Sequence, residues 1–214
     1  MNRVQVYLVD DEPDVTEALS WLLESVRIRS RAFTSAQEFL NDIQRGDGPA
    51  CAVLDLRMPE MSGLELQRRL IDSGHDDVPL LFLTAHGDVP AAVNAMQAGA
   101  LDFVQKPFNP DSFLDSIRRA MRVALERHEQ RNSETHLRRL LAHLSGREVE
   151  VLRGLLDGLT SKELGKVLGI SPKTVDVHRA NVVRKMHVST TTELVRMLGR
   201  DMPLPELDVL SQRS

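Results

Sequence analysis

Short apolar runs alternate with helix-like patterns through residue 125 of the chain. The runs predict strands, and the stretches whose apolar residues recur every three or four positions predict helices. The predicted strands are 4–9, 29–33, 51–55, 78–84 and 101–105, and the predicted helices are 13–27, 35–45, 62–73, 88–98 and 110–127. Five successive β–α units predict an α/β domain with a five-stranded parallel sheet that helices cover on both faces.

Beyond residue 143 the pattern predicts helices alone. Three helix starts there carry Ser or Thr followed three residues later by Glu, the spacing of a capping box, and a fourth starts with Ser-Pro. The predicted helices are 146–157, 161–168, 172–186 and 191–200. We therefore expect an α/β domain at 1–125, an all-α four-helix domain at 144–200 and a loose tail at 201–214. Between the domains we expect a helical or partly flexible linker at 126–143, into which the helix that precedes it could continue.

Composition narrows the class of protein. Among the 214 residues, no apolar run approaches the ~20 residues of a membrane span, and no signal peptide is visible, so we expect no membrane association. The single cysteine, Cys51, excludes an intramolecular disulfide and fits a cytoplasmic protein. Residues 1–125 carry a net charge of −7 and residues 126–214 a net charge of +3, which indicates two domains with different partners.

Polar residues that could act as metal ligands, nucleophile or hydrogen-bond donors follow successive predicted strands: Asp10, Asp11, Asp55, Thr84 and Lys106. The carboxyl ends of parallel strands meet at one edge of the sheet, so these side chains can converge. Clustered carboxylates repel one another and need a cation, for which Mg²⁺ is suited. Asp55 can then attack a phosphorus atom and form an acyl phosphate, while Lys106 and the metal neutralise phosphoryl oxygens and Thr84 donates its hydroxyl.

Each of these residues also has an ordinary structural interpretation. A strand-end aspartate often caps the following helix, Thr84 alone is a strand residue, and Lys106 alone is a surface cation. The order and spacing of all five together favour a site for phosphoryl chemistry.

The motifs VDDE, LDLRMPEMSG, TAHGD and KPF make residues 1–125 resemble a response-regulator receiver domain. The resemblance implies the flavodoxin-like sheet order 2-1-3-4-5 and makes Asp55 the phosphoacceptor. It also implies an Mg²⁺ site in which Asp11 binds the metal directly, Asp10 binds mostly through water and Arg57 contributes its backbone carbonyl, beside Asp55.

The same resemblance implies a conformational switch. Thr84 moves toward the phosphoryl group, and the aromatic residue three positions before Lys106 turns inward. That residue is Phe103, which lacks the hydroxyl of the tyrosine found in many receivers and so donates no hydrogen bond.

In the second half, helices 161–168 and 172–186 are joined by Gly-Ile-Ser, which has the length and turn of a helix-turn-helix; a generic four-helix bundle is the plainer alternative. The helical repeat places Val175, Val182 and Met186 on a buried face. Opposite lies a face that suits a DNA major groove, with Val177 against a thymine methyl and Asn181 at a base edge. The predicted DNA contacts are Lys173, Thr174, Val177, Arg179, Ala180, Asn181, Arg184 and Lys185.

Two neighbours on this helix have open roles. Asp176 opposes simple phosphate binding and would accept a hydrogen bond from a cytosine amino group or orient a nearby arginine. For His178 we prefer a structural role to base reading.

The strings LSGREVEVL, LTSKELGKVLGISPKTVDVHRANVVRKM and TTELV make residues 144–195 resemble the LuxR/NarL-type helix-turn-helix. Combined with the receiver motifs, the chain is most similar to the FixJ-like branch of response regulators. In this family the last helix pairs two output domains on DNA. Leu194, Met197 and Leu198 form an apolar stripe for that contact, although packing within one domain would explain the stripe equally well.

The sequence therefore predicts a two-component transcription factor. A sensor histidine kinase would phosphorylate Asp55, the phosphorylated form would dimerise, and the dimer would bind double-stranded promoter DNA, with RNA polymerase a candidate further partner. The surface expected to move is 88–98, 101–105 and the start of 110–127.

Two alternatives remain open. An aspartate-nucleophile phosphohydrolase usually carries a second acid two residues after its nucleophile, where this chain has Arg57, so we expect slow loss of the phosphoryl group rather than enzymatic turnover. A DNA-binding regulator whose receiver works without phosphorylation is disfavoured by the intact acidic pocket.

Overall fold

The structure is a computed structural model that describes residues 4–43, 46, 48–85 and 89–199. The chain divides into two compact units, with the boundary between Arg131 and Asn132. No helix in the described ranges is both long and apolar enough to cross a membrane.

A five-stranded parallel sheet forms the centre of the first unit. Its strands are β1 (Gln5–Val9), β2 (Ser30–Phe33), β3 (Ala50–Asp55), β4 (Leu80–Thr84) and β5 (Asp102–Gln105). Neighbours pair in the order β2-β1-β3-β4-β5, so the predicted sheet and strand order are confirmed.

Five helices surround the sheet: α1 (Pro13–Ser25), α2 (Ala36–Ile43), α3 (Gly63–Asp72), α4 (Val89–Gln97) and α5 (Pro110–Ala142). Because successive strand residues point to opposite faces, adjacent apolar positions feed two separate cores. Val9, Leu54 and Phe82 pack with α2 and α3 on one face. The residues just before them pack with α1 and α5 on the other, and Cys51, buried there, has its thiol pKa raised to about 12 by desolvation.

Helix α5 continues from Pro110 to Ala142, so the segment predicted as a helical linker at 126–143 is helical through residue 142 and belongs to the same helix. No glycine or proline interrupts residues 111–142, so nothing local stops the helix. Two arginines also hold it to the loop before β4. Arg127 donates to the Asp76 carbonyl at 3.3 Å, and Arg131 pairs with Asp77 at 2.7 Å. The predicted domain boundary at residue 125 falls inside this helix.

The second unit contains the helices α6 (Gly146–Leu156), α7 (Ser161–Leu168), α8 (Pro172–Lys185) and α9 (Thr191–Leu198). The capping boxes predicted at Ser145 and Thr160 are complete, with both reciprocal hydrogen bonds present. At α9 the Thr190 hydroxyl accepts from the Glu193 N–H, but the Glu193 carboxylate accepts from the Ser189 N–H instead.

The turn between α7 and α8 depends on close backbone contact. Gly169 ends α7 in the left-handed region at φ 68°, where glycine carries no steric penalty. A Cβ on Gly165 would lie 2.8 Å from the Ile170 carbonyl oxygen, so a side chain there would force the turn apart. This turn fixes α8 against the core formed by Leu152, Val182 and Leu194.

Candidate functional site

The predicted acidic cluster lies at the carboxyl edge of the sheet. Val9 pairs with Leu54, so the residues that follow them, Asp10 and Asp55, are neighbours. Lys106 follows β5, and its Nζ lies 2.8 Å from Asp10 Oδ2 and 3.4 Å from Asp55 Oδ1. The Lys106 N–H donates to the Thr84 carbonyl at 2.7 Å, and the Lys106–Pro107 peptide bond is cis. The structure thus brings four of the predicted site residues together.

The two carboxylates are held differently. Asp10 is 3% exposed and accepts from Lys106 and, at 3.0 Å, from the Glu12 N–H, so each of its oxygens has a partner at normal distance. Asp55 is 9% exposed, and its Oδ2 accepts from the Arg57 N–H at 2.7 Å. Its other oxygen, Oδ1, makes the longer contact with Lys106 and no other in the part of the chain that the structure describes.

The electrostatics follow from this arrangement. Burial raises the pKa of Asp55 and the charge of Asp10 adds to the rise, against the opposing effects of the Arg57 N–H and of Lys106. Burial alone would lower the pKa of Lys106, but the two carboxylates outweigh it and the pKa is raised. Two acids share one ammonium group, so the cluster has unmatched negative charge.

This cluster fits a hard cation. Within the described residues, no group of three or more His, Cys, Asp or Glu side chains is arranged to hold a metal ion, and Asp11 is half-buried. Mg²⁺ needs only one or two carboxylates, with carbonyl oxygens and water completing its coordination. Two buried carboxylates that repel each other are donors of that kind.

The predicted switch residues lie on adjoining strands. Thr84 ends β4, pairs in register with Gln105 and is 2% exposed. Phe103 on β5 is half-buried, pairs in register with Phe82 and packs against the core on the α2–α3 face. Residues 86–88 of the TAHGD motif lie outside the described residues.

In the second unit, α8 presents the two faces that the helical repeat predicts. Val175, Val182 and Met186 are buried. Val177, by contrast, is 56% exposed. The other predicted contacts on this face are exposed or, for Asn181, half-buried: Lys173, Thr174, Ala180, Asn181 and Arg184.

Three charged residues of α8 bind neighbouring helices. Arg179 Nε donates to Thr191 Oγ1 at 2.7 Å, and Asp176 accepts from Ser161 at 2.6 Å. Lys185 Nζ donates to Glu148 Oε2 at 2.6 Å and to the His143 carbonyl at 3.1 Å. Asp176 therefore holds α7 to α8. The predicted phosphate contacts of Arg179 and Lys185 would have to compete with these bonds.

The sequence did not predict the second role of Glu148, which is to bind Lys185 of the proposed DNA-binding helix α8. Burial acts to raise its pKa, but the hydrogen bonds from Lys185 and Ser145 outweigh burial and hold the pKa of this carboxyl below its ordinary value. The capping-box spacing identified Glu148 as a helix cap. Nothing in the sequence indicated that it also pairs with a lysine 37 positions away.

The apolar stripe of α9 is mostly used within the domain. Leu194 and Leu198 are 0% and 6% exposed and belong to the core, whereas Met197 is 41% exposed. Internal packing therefore accounts for the two leucines.

Known families match both units. The family described as response regulator receiver domain matches residues 6–118, and the family described as bacterial regulatory proteins, luxR family, matches residues 142–198. The chain belongs to the response regulators. We therefore refer to the first unit as the receiver domain and to the second as the output domain.

Relatives match nearly the whole chain. Response regulator protein TmoT of Ectopseudomonas mendocina is 44% identical over 196 residues, which are 91% of this chain and 88% of TmoT. Transcriptional regulatory protein FixJ of Azorhizobium caulinodans is 41% identical over 195 residues, 90% of each chain. The solved structure of response regulator StyR is 40% identical, with a TM-score of 0.80 over 91% of this chain and 98% of StyR.

The predicted resemblance to FixJ-like regulators is confirmed. With both domains present, this response regulator is a two-component transcriptional regulator and not a typical enzyme. Its receiver domain implies a histidine kinase partner, and its output domain implies DNA binding.

Proposed function

We propose that Asp55 accepts the phosphoryl group from the kinase. The observation that carries this assignment is the contrast between the two buried acids. Among the described residues, both oxygens of Asp10 have close partners, whereas Asp55 Oδ1 has a single, longer contact with Lys106 at 3.4 Å and is the less committed oxygen. In the transfer, a bond forms between Asp55 and phosphorus, the bond from phosphorus to the kinase imidazole breaks, and that imidazole takes up a proton.

Lys106 and Thr84 support the transfer. The Lys106 ammonium is already within reach of Asp55 and would neutralise charge on the phosphoryl oxygens. Thr84, whose strand adjoins the one that Asp55 ends, would donate its hydroxyl to the phosphorylated form.

Asp10, Asp11, Asp55 and the Arg57 carbonyl would hold Mg²⁺. When bound, the ion supplies positive charge that offsets repulsion between the acceptor carboxylate and the incoming phosphoryl oxygens. The unmatched negative charge of the Asp10–Asp55 pair supports this proposal.

Phosphorylation would then bias a two-state receiver through Thr84 and Phe103. Moving such an equilibrium from mostly inactive to mostly active takes about 5.5 kcal/mol of differential stabilisation. The surface that moves comprises α4, β5 and the start of α5, and it would favour a homodimer in the phosphorylated state. Inside the cell this regulator would act in the cytoplasm, where its promoter sites and RNA polymerase are found.

In the output domain, α8 would enter the major groove of promoter DNA. Val177, Ala180 and Asn181 would face the bases. Lys173 and Arg184 would contact phosphates, with Thr174 beside them and Arg179 and Lys185 at the flanks. Two output domains on a dimer would read a two-fold related site.

The test is phosphorylation of the full chain by acetyl phosphate with Mg²⁺. Asp55→Asn should abolish labelling, because an amide cannot form the acyl phosphate. Asp72→Asn, which changes an exposed acid on α3, should label like the unmodified protein. Continued labelling of Asp55→Asn would overturn the assignment. Labelling that is lost while DNA binding stays unchanged in every state would favour a receiver that works without phosphorylation.

A further inference from the structure

Helix α4 is thinly attached to the receiver domain. All its residues are described, and Ala95 is the one that is buried. Its larger apolar residues face solvent, since Val89, Val93 and Met96 are 67%, 47% and 46% exposed. The apolar core alone therefore holds this helix weakly, and other contacts must fix its position.

One buried amide supplies such contacts. Gln67 on α3 is 1% exposed, and its Nε2 donates to the Ala95 carbonyl at 3.2 Å and to the Ala98 carbonyl at 3.1 Å. The last carbonyls of a helix lack intrahelical donors, so these bonds fasten the C-terminal end of α4 to α3. That end is shaped by Gly99 at φ 91°, beyond which the Ala100 N–H also donates to Ala95.

The other half of the same amide is unsatisfied. Gln67 Oε1 is buried and finds no hydrogen-bond partner among the described residues. Reversing the amide would place this oxygen against two carbonyl oxygens, so the orientation with Nε2 toward α4 is required. What Gln67 provides is the pair of N–H groups for α4.

We propose that Gln67 is a positioning residue that holds α4 in its resting place and limits how often the unphosphorylated receiver reaches its active form. The proposal rests on the proposed function in one respect, that α4 is part of the moving surface. The two Gln67 hydrogen bonds fasten the C-terminal end of a helix that otherwise buries little apolar surface. A receiver without these N–H groups should release α4 before any phosphoryl group arrives.

The first measurement is hydrogen exchange of the full-length, unphosphorylated protein. Gln67→Met keeps the length of the side chain and removes both N–H bonds, and Gln67→Leu removes both with a shorter apolar side chain. Amides 95–100 should exchange about tenfold faster in each variant, the effect of losing hydrogen bonds of ordinary net strength. Amides of β3 and β4 should be unchanged, which also shows that the variants are folded. Gln97→Met, on the exposed side of α4, is the matched control and should exchange like the unmodified protein.

The second measurement is DNA affinity, which shows whether Gln67 controls the activity of the receiver or only stabilises its structure. Unphosphorylated Gln67→Met should bind DNA several-fold more tightly than the unmodified protein, and adding Asp55→Asn should not remove that gain. Unchanged exchange at α4 would overturn the proposal, as would faster exchange with unchanged DNA affinity. Because neither readout uses phosphorylation, a wrong assignment of Asp55 would appear in the labelling test and not here.

Discussion

Each domain holds a half-buried lysine against acidic side chains, but the charges are matched in only one of them. In the output domain, Lys185 meets Glu148 one to one at 2.6 Å, and the Ser145 N–H adds a second bond to the same carboxylate at 2.7 Å. In the receiver domain, Lys106 is shared by Asp10 and Asp55. The pKa of Glu148 is accordingly lowered, whereas that of Asp55 is raised.

The difference separates a structural ion pair from a reactive cluster. A matched pair with capping bonds has no electrostatic reason to recruit a ligand, and its role is to join α6 to α8. An unmatched cluster is stabilised by an incoming cation, and perturbed pKa values of this kind concentrate at functional sites. Residue types alone do not distinguish the two cases, since both consist of a lysine and carboxylates.

The largest effect is expected from Lys106→Met, which tests whether the receiver cluster is reactive and not structural. Removing a donor that faces developing charge typically costs about 100-fold in rate. We expect initial labelling by acetyl phosphate with Mg²⁺ to slow by about that factor. Arg118→Met, which removes an exposed cation paired with Asp115, is the control and should label normally. An unchanged rate in Lys106→Met would mean that the receiver cluster is structural, like its counterpart.

Lys185→Met, in contrast, should reduce the stability of the output domain, because its lysine belongs to a structural ion pair. Glu148 would keep its buried position without its charged partner, and a lost hydrogen bond to a charged group costs about 2 kcal/mol. Urea unfolding of the output domain should show a loss of that order. Arg147→Met removes the exposed pair with Glu150 and should change stability by less than about 1 kcal/mol. Equal losses in the two variants would remove the distinction between the buried and exposed pairs.

The fold was predictable because local patterns agree with tertiary structure in most elements. The continuous apolar runs of β3 and β4 are buried along their length as expected. The helical character of 126–143 was predicted, but the contacts of Arg127 and Arg131 with a loop about fifty residues earlier were not. Local spacing carries no information on such contacts.

The site divides in the same way. Strand ends converge by topology, so the grouping of Asp10, Asp55, Thr84 and Lys106 followed from the sequence. The partners of Arg179 and Lys185 did not, because a helical wheel shows which side a residue occupies and not which neighbour its long side chain reaches. Gln67 carried no sequence signal, since its role depends on the carbonyl groups of another helix.

A smaller effect is expected in the pKa values of Asp55 and Glu148, which a carboxyl titration by NMR would measure. The Asp55 midpoint should lie above its ordinary value of 3.8, and the Glu148 midpoint below its ordinary value of 4.5. Lys106→Met should raise the Asp55 midpoint further, because the lysine opposes the effect of burial.

The two shifts imply opposite dependences of stability on pH. The contribution of Glu148 is present above its ordinary pKa and is lost as pH falls through its lowered folded value. That of Asp55 is present below its ordinary pKa and is lost as pH rises through its raised folded value. Glu148→Gln and Asp55→Asn should each remove one dependence, and shifts of the same sign in both groups would contradict the contrast between the clusters.

The smallest effect is expected from Val177→Ala. This variant tests whether DNA recognition in the output domain depends on the exposed face of α8 and not on the Lys185–Glu148 pair. Val177 is 56% exposed, so urea unfolding should be unchanged. Loss of apolar contact with a thymine methyl should cost about 1 kcal/mol of affinity on DNA selected from a random pool by the unmodified protein. Affinity for unselected DNA and the salt dependence of binding should stay the same, because no phosphate contact is removed.

Val167→Ala is the matched control, since Val167 is 72% exposed on α7, outside the proposed DNA-binding face. It should change neither stability nor sequence preference. Val177→Ala would then reduce the preference for particular DNA sequences and keep stability. Lys185→Met would reduce stability. An equal loss on every DNA sequence would show that Val177 does not read bases, and the exposed face of α8 would then serve only to bring the helix close to the phosphate backbone.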